Sequence, residues 1–146
     1  MSATGNHQVE NIIVLPMDDG RVLLPRSRTG GEWYFHLLKT TRKGDETVDD
    51  AAQRVTASRT GLAFMLEKEL SRSVSYGEPL DVFNPNADKV DVTHIIVSGV
   101  VTDTVDDKLD HYEWFPIEQA IEHITPIATK LVSYAKAVEV LRAYPR

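Results

Sequence analysis
The sequence predicts an α+β domain, on three observations. Runs of strand length, rich in β-branched and aromatic residues, occur at Val9 to Leu15, Glu32 to Lys39 and Asp91 to Thr102. Between the second and third lies one helix with clear start and stop signals, from Thr47 to Gly61. Two more helical stretches close the chain. At 146 residues the chain can bury a real core as one domain, placed at 9–146 behind a flexible polar start at 1–8.

Taken in order, Val9 to Leu15 (VENIIVL) is a strand, Met17-Asp18-Asp19-Gly20 a tight turn, and Arg21 to Leu24 the returning partner. Pro25 to Gly31 reads as a loop carrying Arg26 and Arg28. Glu32 to Lys39 reads as a single strand running into the next loop. Past the central helix, Leu62 to Leu66 and Glu69 to Tyr76 form two stretches, followed by a turn-rich segment through Gly77, Pro79, Asn84, Pro85 and Asn86. Asp91 to Thr102 (DVTHIIVSGVVT) is the longest β-like run and is expected at the centre of the sheet. His111 to Phe115 is a short aromatic strand, and Pro116 suits the first turn of a helix over Ile117 to Ile124. Thr125-Pro126 repeats that start signal. From Ile127 on, Leu131, Ala135, Val138 and Leu141 recur on one helical face. Trp33, Tyr34, Phe35 and Trp114 read chiefly as core, with one of them able to stack on a base. No internal repeat or linker suggests a second domain.

The stretch from Thr40 to Leu62 carries most of the information. Thr47 is an N-cap, Asp50 stands where a capping-box acid belongs, and Asp49 and Asp50 put negative charge at the positive end of the helix dipole. Ala51, Ala52 and Val55 form a small apolar stripe, and Gly61 ends the helix at C′. Asp50 and Arg54, spaced i and i+4, could pair for ~0.3 kcal/mol. Glu46, Arg54, Gly61 and Leu62, with Gly44, Thr47 and the Ala51-Ala52 pair, stand in a frame that resembles the signature box of the Nudix (MutT-like) hydrolases. The opening hairpin, strand, loop and helix are similar too, as are WFPIEQAIEHI and the closing helix, so the resemblance covers residues 9 to 143. It implies the Nudix fold: a mixed β-sheet flanked by helices, an α/β/α sandwich.

In that family the box glutamates hold divalent cations against a pyrophosphate. Here the first box glycine is Thr40, and the three glutamates of the helix fall on Val55, Ser58 and Arg59. Mg²⁺ needs oxygen ligands in near-octahedral array. Val55 offers none, Ser58 a neutral hydroxyl, and Arg59 a fixed positive charge. By family equivalence Glu46 and Arg54 are the catalytic positions, and Glu46 with Asp50 the residual metal candidates. Arg26, Arg28, Lys39 and Arg59 are the candidate ligand-binding residues, with Arg42 and Lys43 also near the loop. Arg59 has two readings: a cation suited to the helix C-terminus, or a guanidinium that grips an anion in place of the missing metal. His94 reads as core or hydrogen-bonded, and His111 and Glu113 fall where some Nudix enzymes carry a base. The run Asp103, Asp106, Asp107 and Asp110 reads as a solvated acidic loop.

Composition narrows the class further. Zero cysteines exclude disulfides, thiolate catalysis and Cys-ligated zinc. No apolar run approaches the ~20 residues of a membrane span, and with no signal peptide the expectation is a cytoplasmic protein. A net charge of −6 argues against nucleic acid as the main partner, while leaving room for a nucleotide-sized ligand in a local basic pocket. Two functions compete. One is a Nudix-fold binding, regulatory or scaffold module for a nucleotide or other phosphorylated ligand, with weak or no hydrolysis and no cofactor. The other is a divergent pyrophosphohydrolase of nucleoside diphosphates linked to another group, which needs Mg²⁺ at a site rebuilt from Glu46, Asp45, Asp49 or Asp50 and an acid of the 106–113 loop. The family resemblance is also compatible with a homodimer.

Overall fold
The computed structural model describes residues 7–79, 84, 86–102 and 111–145. Its strands are β1 (His7–Asp18), β2 (Arg21–Thr29), β3 (Glu32–Phe35), β4 (Leu38–Thr41), β5 (Ala63–Pro79), β6 (Lys89–Thr102) and β7 (Tyr112–Pro116). The helices are α1 (Val48–Thr60), α2 (Ile117–Ala128) and α3 (Val132–Ala143). The sheet runs β3-β2-β1-β6-β5, with β4 also pairing β1 and β7 also pairing β2. Strands β1 and β6 are parallel from His7↔Val90 to Pro16↔Gly99, and every other pair is antiparallel, so the sheet is mixed.

Burial on both faces of β1 defines the layers. Ile12, Ile13, Val14 and Leu15 are each 0% exposed. Because successive side chains point to opposite faces, Ile12 and Val14 pack with Ala51, Ala52 and Val55 of α1, while Ile13 and Leu15 pack with α2 and α3. The same alternation divides Ile95 and Val97 from Ile96 in β6. A continuous apolar run thus marks a strand covered by helices on both sides. The Asp19-Gly20 turn, with φ of 52° and 76°, closes the first hairpin in the manner of a type I′ turn.

Several sequence expectations need correction. Residues 25–29 are not loop: β2 continues to Thr29 and pairs with β3, and the turn lies at Gly30-Gly31. The aromatic run 32–39 is broken at His36 and Leu37, because those amides leave the ladder. His36 N–H donates to the Pro25 carbonyl, and Leu37 N–H to the Tyr134 hydroxyl at 3.1 Å. Trp33 and Tyr34 are not core. They stand 43% and 46% exposed on β3, the last strand of the sheet. Leu62 to Leu66 and Glu69 to Tyr76 merge into one bulged strand, β5. Thr125-Pro126 starts no helix. Thr125 Oγ1 donates back to the Ile121 carbonyl at 2.6 Å, and α2 carries Pro126 for two residues more before ending. In α3 the buried face is Tyr134, Ala137, Val138 and Leu141, with Ala135 only half-buried.

Candidate functional site
Helix α1 begins as its sequence signals. The Thr47 hydroxyl accepts from Asp50 N–H at 3.0 Å, and the Asp50 carboxylate accepts from Thr47 N–H at 3.0 Å, a complete capping box. Gly61 ends the helix in the left-handed region at φ 76°. Asp50 is therefore committed to the helix start and does not pair with Arg54. The partner of Arg54 is Glu46, eight residues back, in a bidentate contact: Nε to Oε2 at 2.7 Å and Nη2 to Oε1 at 2.9 Å. Arg54 also donates to Thr40 Oγ1 and the Thr41 carbonyl, each at 3.0 Å. One guanidinium thus fastens α1 to β4 and to the loop between them.

The loop itself is held by Arg42, which donates to the Glu46 carbonyl at 2.8 Å and pairs with Glu10. Lys43 N–H donates to Glu46 Oε1 at 2.9 Å. Hydrogen bonds from Arg54 and then from the Lys43 amide hold the Glu46 carboxyl far below its ordinary value, at about 2. Its acceptor capacity is largely taken up, so Glu46 is a clasp for the loop. Val55, at one of the box-glutamate positions, is 6% exposed and packs in the core with Leu62 and Phe64. Ser58 and Arg59 stand exposed.

Arg59, exposed in the last turn of α1, carries a charge felt at His36 and Tyr134. Its field, second to burial, lowers the pKa of His36. It also opposes the rise that burial imposes on Tyr134. No carboxylate pairs with Arg59 among the described residues. Lys39 lies beside α3: its Nζ is 3.5 Å from Ser133 Oγ and 5.7 Å from the centre of the Tyr134 ring, and burial lowers its pKa. Lys39 thus lies against the Tyr134 ring, whose hydroxyl holds the Leu37 amide next to His36. Next to it opens a cleft of about 500 Å³, lined by Trp33, Phe35, His36, His123, Ile127 and Leu131. A smaller cavity of about 210 Å³ lies beyond Lys39 at the start of α3. There His94, 2% exposed, bonds Glu78 at 3.0 Å.

Arg26 and Arg28 both lie over Trp33, which lines the larger cleft. Arg26 pairs with Glu113 at 3.2 Å and stacks 4.3 Å from the centre of Trp33, while Arg28 sits 5.4 Å from the same ring. Residues 103–110, which include Asp103, Asp106, Asp107 and Asp110, lie outside the described residues. Sequence reasoning missed His36, Ser133, Tyr134 and the His94–Glu78 contact as a set. No local pattern links them, although the helical spacing of Tyr134 with Ala137, Val138 and Leu141 places the tyrosine inward.

A family model for the NUDIX domain matches residues 7–135, and the chain belongs to that family. No curated protein matches it. Among solved structures it resembles a NUDIX hydrolase from Nitrosomonas europaea, with 15% identity and a TM-score of 0.60 over 92% of this chain and 90% of that one. It also resembles the MutT protein of Methanosarcina mazei Go1, with 20% identity and a TM-score of 0.58 over 94% of each chain. These likenesses bear on the fold. Nudix hydrolases generally use Mg²⁺ or another divalent metal. The residues present here do not fit such an ion: the box positions offer a buried valine, a serine and an arginine, and the clasped Glu46 already satisfies Arg54. Among the described residues no three His, Asp or Glu side chains are grouped so as to share a metal. No helix among them is long and apolar enough to cross a membrane.

Proposed function
We propose that this Nudix domain binds a small phosphorylated ligand, of which a nucleotide is one example, through fixed cationic side chains, and serves as a binding or regulatory module with little or no hydrolysis. One observation carries this reading: at a box position where the family holds a dication, Arg59 stands exposed with no carboxylate partner among the described residues, while Glu46 is spent on Arg54. A guanidinium presents a fork of N–H donors that matches a phosphate without any metal. Lys39, partly desolvated beside Ser133 and Tyr134, is the second cation of this reading. Metal-assisted phosphoryl chemistry depends on ions that polarise the phosphate and activate water, and this arrangement supplies neither.

Calorimetric titration with a panel of nucleotides and sugar phosphates, with and without EDTA, tests the proposal. Binding is expected to be indifferent to the chelator. It should weaken about tenfold in Arg59→Ala, since a charge-assisted hydrogen bond contributes ~1.5 kcal/mol or more. Release of phosphate or pyrophosphate that requires Mg²⁺ or Mn²⁺ and disappears in Glu46→Gln would instead establish the second reading, a divergent pyrophosphohydrolase. One feature favours that alternative: Oδ1 of Asp49, at the start of α1, is buried without a hydrogen-bond partner among the described residues.

A further inference from the structure
We infer that the outer edge of β5 is a self-association surface that receives a second copy of this chain in antiparallel pairing. Strand β5 is 17 residues long and ends the sheet. One flank is bonded to β6, and among the described residues no strand pairs with the other. An open edge of that length presents a row of backbone donors and acceptors to any strand that fits it. Three exposed apolar side chains lie on it: Met65 at 65%, Val74 at 43% and Tyr76 at 78%. Behind its midpoint, Leu70 and Ser71 face Val140 and Tyr144 across a cavity of about 520 Å³, room for a side chain from outside.

The charge pattern selects the occupant. The register with β6 shifts between Glu69 and Ser71, so Leu70 is taken up as a bulge. Glu69 then stands opposite Val97 and Arg72 opposite Ile95, which puts both on the face covered by α1. Ser71, opposite Ile96, points to the other face. A two-fold axis through Ser71 sets Glu69 of each copy across from Arg72 of the other, giving two cross-strand ion pairs. Within one chain the same two residues bond each other at 2.7 Å. Charges along an edge ordinarily repel unrelated strands. This set is self-complementary, so it favours an antiparallel second copy over other partners.

Light scattering coupled to gel filtration reads the outcome. With rising concentration the mass of the unmodified chain should approach twice 16.4 kDa. Glu69→Arg and Arg72→Glu should each remain monomeric, because each sets like charges across the axis. Mixing the two variants should restore the dimer, since the arginine introduced at 69 then meets the glutamate introduced at 72. The intrachain contact is lost in both variants, so recovery on mixing can come only from pairing between chains. Circular dichroism checks that each variant is folded. A monomeric unmodified chain, single variants that still dimerise, or folded variants that stay monomeric when mixed would each overturn the inference.

Discussion

Tyr134 is the point at which α3, the break between β3 and β4, and Lys39 meet, and Tyr134→Phe tests its role. The hydroxyl accepts from the Leu37 amide at 3.1 Å, and Leu37 is only 1% exposed. Removing the oxygen leaves a buried N–H without its partner, which costs about 1–3 kcal/mol. The ring stays, so the packing against Ala137, Val138 and Leu141 and the approach of Lys39 to its face are preserved. For a chain near this size about 1 kcal/mol lowers the melting temperature by roughly 2–4 °C. The expected fall is therefore roughly 2–12 °C, with a matching drop in the urea midpoint at unchanged slope. The Leu37 amide should also exchange with solvent markedly faster. Equal stability in the two proteins, with Leu37 exchange unaltered, would refute the view that this bond holds the strand break in place.

Two further outcomes follow from other parts of the structure. The folded pKa of Glu46 lies below its ordinary value of 4.5, at about 2, so its ion pair with Arg54 stabilises the fold above about pH 4.5 and is lost as pH falls toward 2. Urea titrations should show Glu46→Gln destabilised near neutrality, with the gap to the unmodified chain closing between those two values. A constant gap across that window would assign the loss to shape alone. In the second case, a Cβ on Gly99 would lie 2.1 Å from the Met65 carbonyl and 2.6 Å from the Phe64 ring. Because backbone must move to accommodate it, Gly99→Ala should cost about 3 kcal/mol or leave the chain unable to fold. A soluble variant with an unshifted melting curve would show that β5 slides freely on β6.

Local chemistry made the first half of the site legible. The capping box, the glycine stop and the Glu46-to-Arg54 spacing are all decided within one loop and one helix, so the residues that specify them are neighbours in sequence. The departures at Val55, Ser58 and Arg59 were equally visible, because they are substitutions in a fixed frame. The family frame also points Arg54 at Glu46 or a loop carbonyl, and the structure has it bond both Glu46 and the Thr41 carbonyl. Asp50 at i+4 spacing is a valid partner on an isolated helix, but its carboxylate is drawn to the Thr47 amide, and the loop brings Glu46 back onto the guanidinium.

The amino-acid sequence by itself determined that this chain folds as a Nudix domain with one well-capped box helix, whose box positions carry Val55, Ser58 and Arg59. Patterning, caps and spacing act over a few residues and need no partner from afar. Tertiary structure alone decided that β5 is one long exposed edge and that His36 and Leu37 interrupt an aromatic strand. It alone also brought Lys39 within reach of the Tyr134 ring. Each of these rests on a contact between segments up to 97 residues apart, such as Leu37 with Tyr134. Such a contact exists only once the sheet has fixed where both segments lie.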